Sequence, residues 1–452
     1  MAVSGEECTC LLKAICEMGG GPSRVSPYVL RCVDTDVETA RAGTPPKVKK
    51  STSQKSGFPP EREPSAGAAE LPTNASVGPL SPSMSSRKLL TRSISQLASG
   101  DGSVGGVPLS RARAVFSCRH NWLLRDFSAG VTKMDQLEVG RVIGTGLMGT
   151  VRLAKVKDKG GYIALKAIRK DYIVKHRNQA YVENERRVLL CLQSPFCIRL
   201  FGTFQDGPNV YFAMQLAVGG ELFSRLSKGD KNGLPAEECK FYVSEIFSAL
   251  EHLQQMGFVY RDLKPENVML DEEGHCKLVD FGFATTPDGN GICHTLCGTP
   301  AYLSPEQLNG KFTGGYNKCC DWWALGIILY ELMTSKTPFC KNPRETSYEI
   351  YLRILKNRLK FPRSWKDAKA KELVMALCHP SLDKRLVEPD LIRTNTYFVI
   401  PWESVVGLKM VPPFVPKIKD EKDRDHYFSR RYLRYPPDDS TDNEGRIDLE
   451  GF

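Results

Sequence analysis

Tyr260 to Leu270 read "YRDLKPENVML". Two cations (Arg261, Lys264), two acids (Asp262, Glu266) and an amide (Asn267) fall together, are interrupted by Pro265, and run straight into apolar residues. Proline removes a backbone donor and clashes with a preceding helical turn, so the polar part reads as a loop. The short apolar run after it reads as a buried strand. In such a loop Asp262 can accept a hydroxyl proton, Lys264 two residues on can neutralise phosphate, and Asn267 five residues on can hold a metal through oxygen. Further along, "VDFGFA" sets Asp280 behind another apolar run, a second oxygen ligand of the kind magnesium takes. An exposed loop of ordinary ion pairs would also crowd charge, but it would not account for the motifs that precede and follow it in order.

Upstream, "GTGLMGTV" supplies Gly144, Gly146 and Gly149 between two strand-like stretches. Missing side chains let backbone N–H groups approach phosphates. Dinucleotide-binding domains use the same spacing but pass from strand to helix, whereas here "VRLAKV" continues as strand, which favours a flap over nucleotide phosphates. Lys166 then sits inside the apolar strand "IALKAI". A cation there needs an anion, either Glu185 on the next amphipathic helix or a nucleotide phosphate, unless the side chain merely snorkels outward.

Composition sets the frame around these motifs. The 452 residues, 41% hydrophobic and 25% charged, suit a globular protein with a sizeable core. The net charge of +10, 62 basic less 52 acidic residues, has no dense basic run behind it, so no nucleic-acid partner is expected. Fifteen scattered cysteines lack repeated C-x-x-C spacing, which points to reduced thiols rather than zinc or a disulfide framework. No apolar run approaches a membrane span; "WWALGIILYEL" at 322–332 is about half as long as needed and reads as a buried helix. The start lacks a secretory pattern, Ala2 excludes the usual myristoylation motif, and Cys8 and Cys10 are expected as free thiols rather than lipid anchors.

Residues 1–130 are rich in Ser, Pro, Gly and Ala and are expected to be disordered, with local exceptions near 11–18 and 115–127. From 137 an antiparallel strand-rich lobe is expected to about 216, with a helix around "NQAYVENERRVLLCL". A hinge near Ala217–Gly220 and a helical lobe over 221–398 follow. From 399, and most plainly beyond 411, the chain is Pro-rich and extended, a tail lying over the surface.

The glycine loop, Lys166, Glu185, "YRDLKPEN", "DFG" and "SPE" occur in an order and spacing that resemble the eukaryotic protein kinases, over roughly 137–398. "TLCGTPAYLSPE", "DWWALGIILYEL" and the tail resemble more closely the AGC group, in particular the catalytic subunits of cyclic-AMP- and cyclic-GMP-dependent kinases. The resemblance implies a bilobal α+β fold, ATP and Mg2+ as cofactors, and transfer of the γ-phosphoryl group to Ser or Thr. Catalytic roles fall on Asp262, Lys264, Lys166 and Glu185, and metal binding on Asn267 and Asp280. Nucleotide contacts are implied at Gly144, Thr145, Gly146, Leu147, Met148, Gly149, Val151, Ala164, Lys166, Met214, Gln215, Ala217, Glu221, Asn267 and Asp280. Thr295 corresponds to the activation-loop phosphosite, paired with Arg261, and Thr299 supports the catalytic loop. Glu306 pairs with Arg385 and Asp321 braces the catalytic loop, while Tyr260, Leu189, Leu200 and Phe281 form an apolar spine.

Glu221, Glu266 and Glu331 stand where relatives bind arginines upstream of the target residue, which implies protein substrates in basic context. The chain departs from its relatives at Tyr181, Thr285 and His294, which replace a histidine, a lysine and a tryptophan around the Thr295 phosphosite; a separate cyclic-nucleotide-binding regulatory subunit is the partner that the resemblance implies. Phe452 is expected in the strand-rich lobe, Tyr427 or Phe428 at the adenine pocket, and Arg92 before Ser95 as an autophosphorylation triplet. The expected protein is a monomeric, cytoplasmic, also nuclear, catalytic subunit without a transmembrane segment. The rival readings are a nucleotide-binding pseudokinase scaffold, which intact Lys166, Asp262, Asn267 and Asp280 oppose, and a basic nucleic-acid-binding module, which nothing in the sequence demands.

Overall fold

The computed structural model describes residues 130–428, apart from 147, 158–159, 229–232 and 343, together with Leu449 and Phe452. The expectations for the N-terminal extension, for Cys8 and Cys10, for the Arg92–Ser95 triplet and for Leu147 lie outside the described residues. All described residues belong to one packed unit.

Strands β1 (Leu137–Thr145), β2 (Gly149–Val156), β3 (Tyr162–Arg169), β4 (Leu200–Gln205) and β5 (Asn209–Gln215) form an antiparallel sheet in the order β1-β2-β3-β5-β4. Alternation divides it into two faces. Ile163 and Leu165 of β3 join Tyr211, Ala213, Phe204 and Val156 in an outer cluster. Ile168, Val210 and Phe212 instead face α2 (Gln179–Cys191), meeting Val182, Val188 and Leu189. Lys166, two residues before Ile168, is thereby turned toward α2 and away from the outer cluster. The turn between β1 and β2 closes through Gly146 N–H donating to the Gly149 carbonyl at 2.8 Å. A Cβ on Gly149 would lie 1.8 Å from the Ala167 carbonyl oxygen, so β2 can approach β3 only with glycine there.

Helix α1 (Lys170–His176) precedes α2. Past the sheet lie α3 (Phe223–Lys228), α4 (Ala236–Gln255), α5 (Pro305–Thr313), α6 (Cys319–Thr334), α7 (Ser347–Leu355), α8 (Ala368–Leu377), α9 (Pro389–Arg393) and α10 (Trp402–Val406). Among them a small antiparallel sheet, β6 (Gly220–Glu221), β7 (Val268–Leu270) and β8 (Cys276–Leu278), carries the catalytic-loop strand expected after "KPEN". Helix α4 starts after Pro235 with Glu237 and Glu238 in its first turn, where negative charge suits the helix dipole, and stops before Gly257 at φ +80°. Helix α6, apolar on nearly all sides, is buried along its length, as the run at 322–332 predicts; Trp322 and Trp323 are fully enclosed.

One continuous apolar core joins the two lobes: Leu189, Phe196, Leu278, Tyr260 and Phe281 belong to the same cluster, with Leu200 against it. Tyr260 and Phe281 meet edge to face at 5.6 Å, and across the connection Ile198 N–H donates to the Leu278 carbonyl at 2.9 Å while Leu278 N–H donates to the Phe196 carbonyl at 2.7 Å. The tail then runs back over the molecule. Pro416 and Tyr427 press on Gly219 and Gly220, and Phe452 packs edge to face on Phe212 at 5.5 Å beneath the Arg186 guanidinium. Gln205 holds Leu449 through both its backbone groups. Among the described residues no helix is long and apolar enough to cross a membrane.

Candidate active site

Lys166 reaches across from β3 to α2, where its Nζ lies 2.7 and 2.9 Å from the two carboxylate oxygens of Glu185. Both side chains are largely enclosed. Burial alone would push the ammonium down, but the Glu185 and Asp280 carboxylates outweigh it and hold Lys166 above its ordinary value. The partner of the strand lysine is therefore the helix glutamate, and the snorkelling alternative fails.

The loop 260–267 is built around two aspartates. Asp321, at the start of α6, accepts the N–H groups of Tyr260 and Arg261, each at 2.9 Å. Those two bonds fix a turn in which Arg261 holds φ +71°. Burial pushes the Asp321 carboxyl up to about 6 even though these backbone donors pull it down. Next to this turn, Asp262 lies almost wholly buried. Its Oδ1 accepts from the Thr299 hydroxyl at 2.7 Å, its Oδ2 from the Asn267 amide at 3.1 Å, and Lys264 Nζ approaches Oδ2 at 3.1 Å. Thr299 also accepts from Lys264 at 3.1 Å, so one hydroxyl ties both charged groups. Burial raises the Asp262 carboxyl above its ordinary value against the pull of Lys264 and Thr299, the direction a general base working near neutral pH requires.

Asn267 donates through its nitrogen to the Asp262 carbonyl at 2.9 Å as well as to the carboxylate, so its oxygen turns the other way. Asp280 holds φ +57°, a conformation rare for a side chain larger than glycine, immediately before the Phe281 anchor, and its charge is felt at Lys166, Glu185 and Asp262. One carboxamide and one carboxylate make an oxygen-only donor set. Among the described residues no group of three or more His, Cys, Asp or Glu could cage a metal alone. That sparse set fits Mg2+, which completes its shell with water and phosphate oxygens.

A second acidic group lies beside this loop. Glu331 of α6 is buried, accepts from the Tyr302 hydroxyl at 2.6 Å, and is pushed up to about 7 by burial, with the Glu266 carboxylate adding to the rise. Glu221 of β6 is likewise raised by burial and by Glu266. Glu266 itself is raised, and its Oε2 is enclosed with no hydrogen-bond partner. Three carboxyls and an unsatisfied buried oxygen gather here, and the charge of Lys264, already bound to Asp262 and Thr299, only partly offsets the rise of Glu221 and Glu266.

Arg385 clasps Glu306 at 2.5 and 2.8 Å with its side chain fully enclosed. Thr295 is exposed, and Arg261 is engaged elsewhere, donating to the Phe283 carbonyl at 2.8 Å and toward the Tyr316 hydroxyl at 3.1 Å. Tyr427 touches Gly220 through its backbone, while its ring meets Phe414 and its hydroxyl accepts from Lys417 N–H. Sequence reasoning missed Tyr302 beneath Glu331, Tyr316 beneath Arg261, and, although it singled out Tyr181, the face of α2 that Asn184 and Arg187 share with it. Only the last left a signal, its spacing of three residues.

Residues 137–398 match the protein kinase domain family. A cAMP-dependent protein kinase, catalytic subunit-like, of Caenorhabditis briggsae is 44% identical over 302 residues, 63% of this chain and 75% of the relative. The cAMP-dependent protein kinase catalytic subunit of Arthrobotrys oligospora is 40% identical over 285 residues, 62% of this chain but only 53% of that relative, so the chain spans about half its length. The RAC-beta serine/threonine-protein kinase of Homo sapiens is 34% identical over 326 residues, 70% of this chain and 66% of the relative. With a family match across both lobes and these relatives alongside it, the chain belongs to the protein kinase family and is a kinase of the AGC type.

Proposed function

We propose that this Ser/Thr kinase transfers the γ-phosphoryl group of ATP to Ser and Thr hydroxyls that follow arginine residues. In the step, a bond forms between the substrate oxygen and the γ-phosphorus, the bond to the β,γ-bridging oxygen breaks to leave ADP, and the hydroxyl proton passes to the Asp262 carboxylate. The buried, Thr299-fixed position of Asp262 holds that acceptor in one place, which supplies orientation rather than covalent chemistry. Lys264, tied to the same hydroxyl, puts a positive charge beside the reacting oxygens. Lys166, fixed by Glu185, does the same for the nucleotide phosphates. Asn267 and Asp280 would hold Mg2+, which when bound supplies neutralisation of the triphosphate charge.

Basic-context specificity rests on one observation: the buried Glu266 oxygen without a partner, flanked by Glu221 and Glu331 whose carboxyls burial has already raised. A guanidinium supplies a planar fork of donors that can satisfy such a group bidentately. The test is phosphorylation of paired peptides with arginine or alanine upstream of one serine, using Asp262→Asn as the blank. Equal kcat/KM for both peptides sinks the specificity, and transfer undiminished in Asp262→Asn sinks the assigned base.

A further inference from the structure

Between the end of α7 and the first turn of α8 the chain reads "KNRLKFPRSWKDAKAK", residues 356–371. This stretch carries seven lysines and arginines against one acid, Asp367, and no two of the seven adjoin, so no basic run shows in the sequence. All seven are exposed. Among the described residues none of them makes an ion pair, and the acids close by in the chain are mostly engaged elsewhere. Asp367 accepts Ala370 N–H at 2.9 Å at the start of α8, Glu349 caps α7 through Thr346, and Glu345 pairs with Arg353. Only Glu372, exposed beside Lys371, stands ready to offset the charge.

Three aromatic rings fold the stretch back on itself. Phe361 and Trp365 meet edge to face at 4.9 Å, and both pack on Tyr330 of α6, at 5.6 and 5.5 Å. Trp365 N–H donates to the Pro362 carbonyl at 3.0 Å, closing a turn that leaves Arg363 outside, and Lys371 Nζ lies 5.2 Å from the Phe361 ring. The start of α8 is thereby laid against the segment before the turn. Exposure along that segment alternates: Arg358, Lys360 and Pro362 are exposed, while Leu359 and Phe361 pack on the core, the period of extended chain. The Lys360 carbonyl accepts from the Tyr330 hydroxyl at 2.8 Å. The backbone N–H groups of Arg358, Leu359, Lys360 and Phe361 have no partner among the described residues. Tyr330 is followed by Glu331, so this surface is anchored on the same turn of α6 as the acidic site beside the catalytic loop.

Charge and backbone together fit one kind of occupant. Unmatched cations suit an acidic partner, and extended chain with four N–H groups lacking acceptors suits a partner that is itself extended. A membrane or a nucleic acid would answer the charge but not the row of backbone donors. We propose that residues 356–371 are a docking surface for an extended acidic segment of a protein substrate, held there while the arginines of the same substrate occupy the site around Glu331. Such a tether raises the local concentration of the target serine, so it acts on KM and leaves kcat alone. In its kinetic arm the inference rests on the kinase reading above; in its binding arm it does not.

The experiment compares the full chain with a triple variant, Arg358→Glu, Lys360→Glu and Arg363→Glu, all exposed positions outside the catalytic machinery. Fluorescence anisotropy follows a labelled peptide of glutamate alternating with glycine, and its glutamine counterpart. Wild type is expected to bind the glutamate peptide alone, about tenfold more weakly at 0.3 M than at 0.05 M salt, and the variant to lose at least about tenfold in affinity. In rate assays an arginine-containing peptide extended by the glutamate sequence is expected to show a KM about fivefold below that of the glutamine-extended peptide. The variant should abolish that difference while keeping kcat, and the KM of the glutamine-extended peptide, within about twofold of wild type. Undiminished binding of the glutamate peptide by the variant overturns the inference, as does equal KM for the two extensions in wild type. Tighter binding of phosphatidylserine vesicles or of single-stranded RNA than of the glutamate peptide, lost in the same variant, overturns it in favour of those partners. A wild type that binds the glutamate peptide but phosphorylates neither extended peptide counts against the kinase reading, while the loss of binding in the variant still supports the surface.

Discussion

Raising the pH from 6 to 8 should lower the KM for an arginine-containing peptide about tenfold, and Glu331→Gln should remove most of that change. Burial places the Glu331 carboxyl at about 7, against an ordinary value of 4.5. Only the ionised form attracts a guanidinium, so about one tenth of the free enzyme is competent at pH 6 and about nine tenths at pH 8; apparent affinity scales with that fraction. The sign for the free protein is opposite. Because the folded value is raised, the folded state keeps a proton that the unfolded chain releases, and the stability this contributes is present at low pH and lost as pH rises through about 7. Binding of the arginine peptide should therefore raise Tm more at pH 8 than at pH 6. Initial rates across pH 6 to 8 with arginine and alanine peptides, wild type against Glu331→Gln, measure the effect. A wild-type KM that follows the same pH curve as the variant, or that falls equally for the alanine peptide, refutes the assignment of Glu331 to substrate arginine.

Asp262→Asn should lower kcat by roughly 10²–10⁴ with ATP binding retained, because the proton acceptor is lost while the lysine and glycine-loop contacts remain; nucleotide titration beside a rate assay separates the two. Arg385→Ala leaves Glu306 enclosed without its cation and should cost about 3–5 kcal/mol in urea unfolding, whereas an exposed pair such as Lys240–Glu237 should cost under about 1 kcal/mol. Phe452→Ala should destabilise the sheet lobe by about 1–2 kcal/mol, read as a lower urea midpoint, since the ring's contact with Phe212 is only part-buried.

Periodicity and local chemistry carried most of the fold and the chemistry in the sequence itself. Alternation in "IALKAI" turns Lys166 away from its apolar neighbours Ile163 and Leu165, and the spacing within "RDLKPEN" ties Asp262 to Asn267 over five residues. These are properties of a few consecutive residues, so they can be read without a fold. The tertiary structure alone decided which side chain answers which across long separations: Thr299 bridging Asp262 and Lys264, Tyr302 under Glu331, Tyr181 on Gly282, and Arg261 taken by Phe283 and Tyr316. Such pairings depend on how whole helices pack against loops and on which charges packing strips of water. Nothing in the sequence around Glu266 distinguishes a solvated glutamate from one whose oxygen is buried and unsatisfied; only the surrounding core sets that difference.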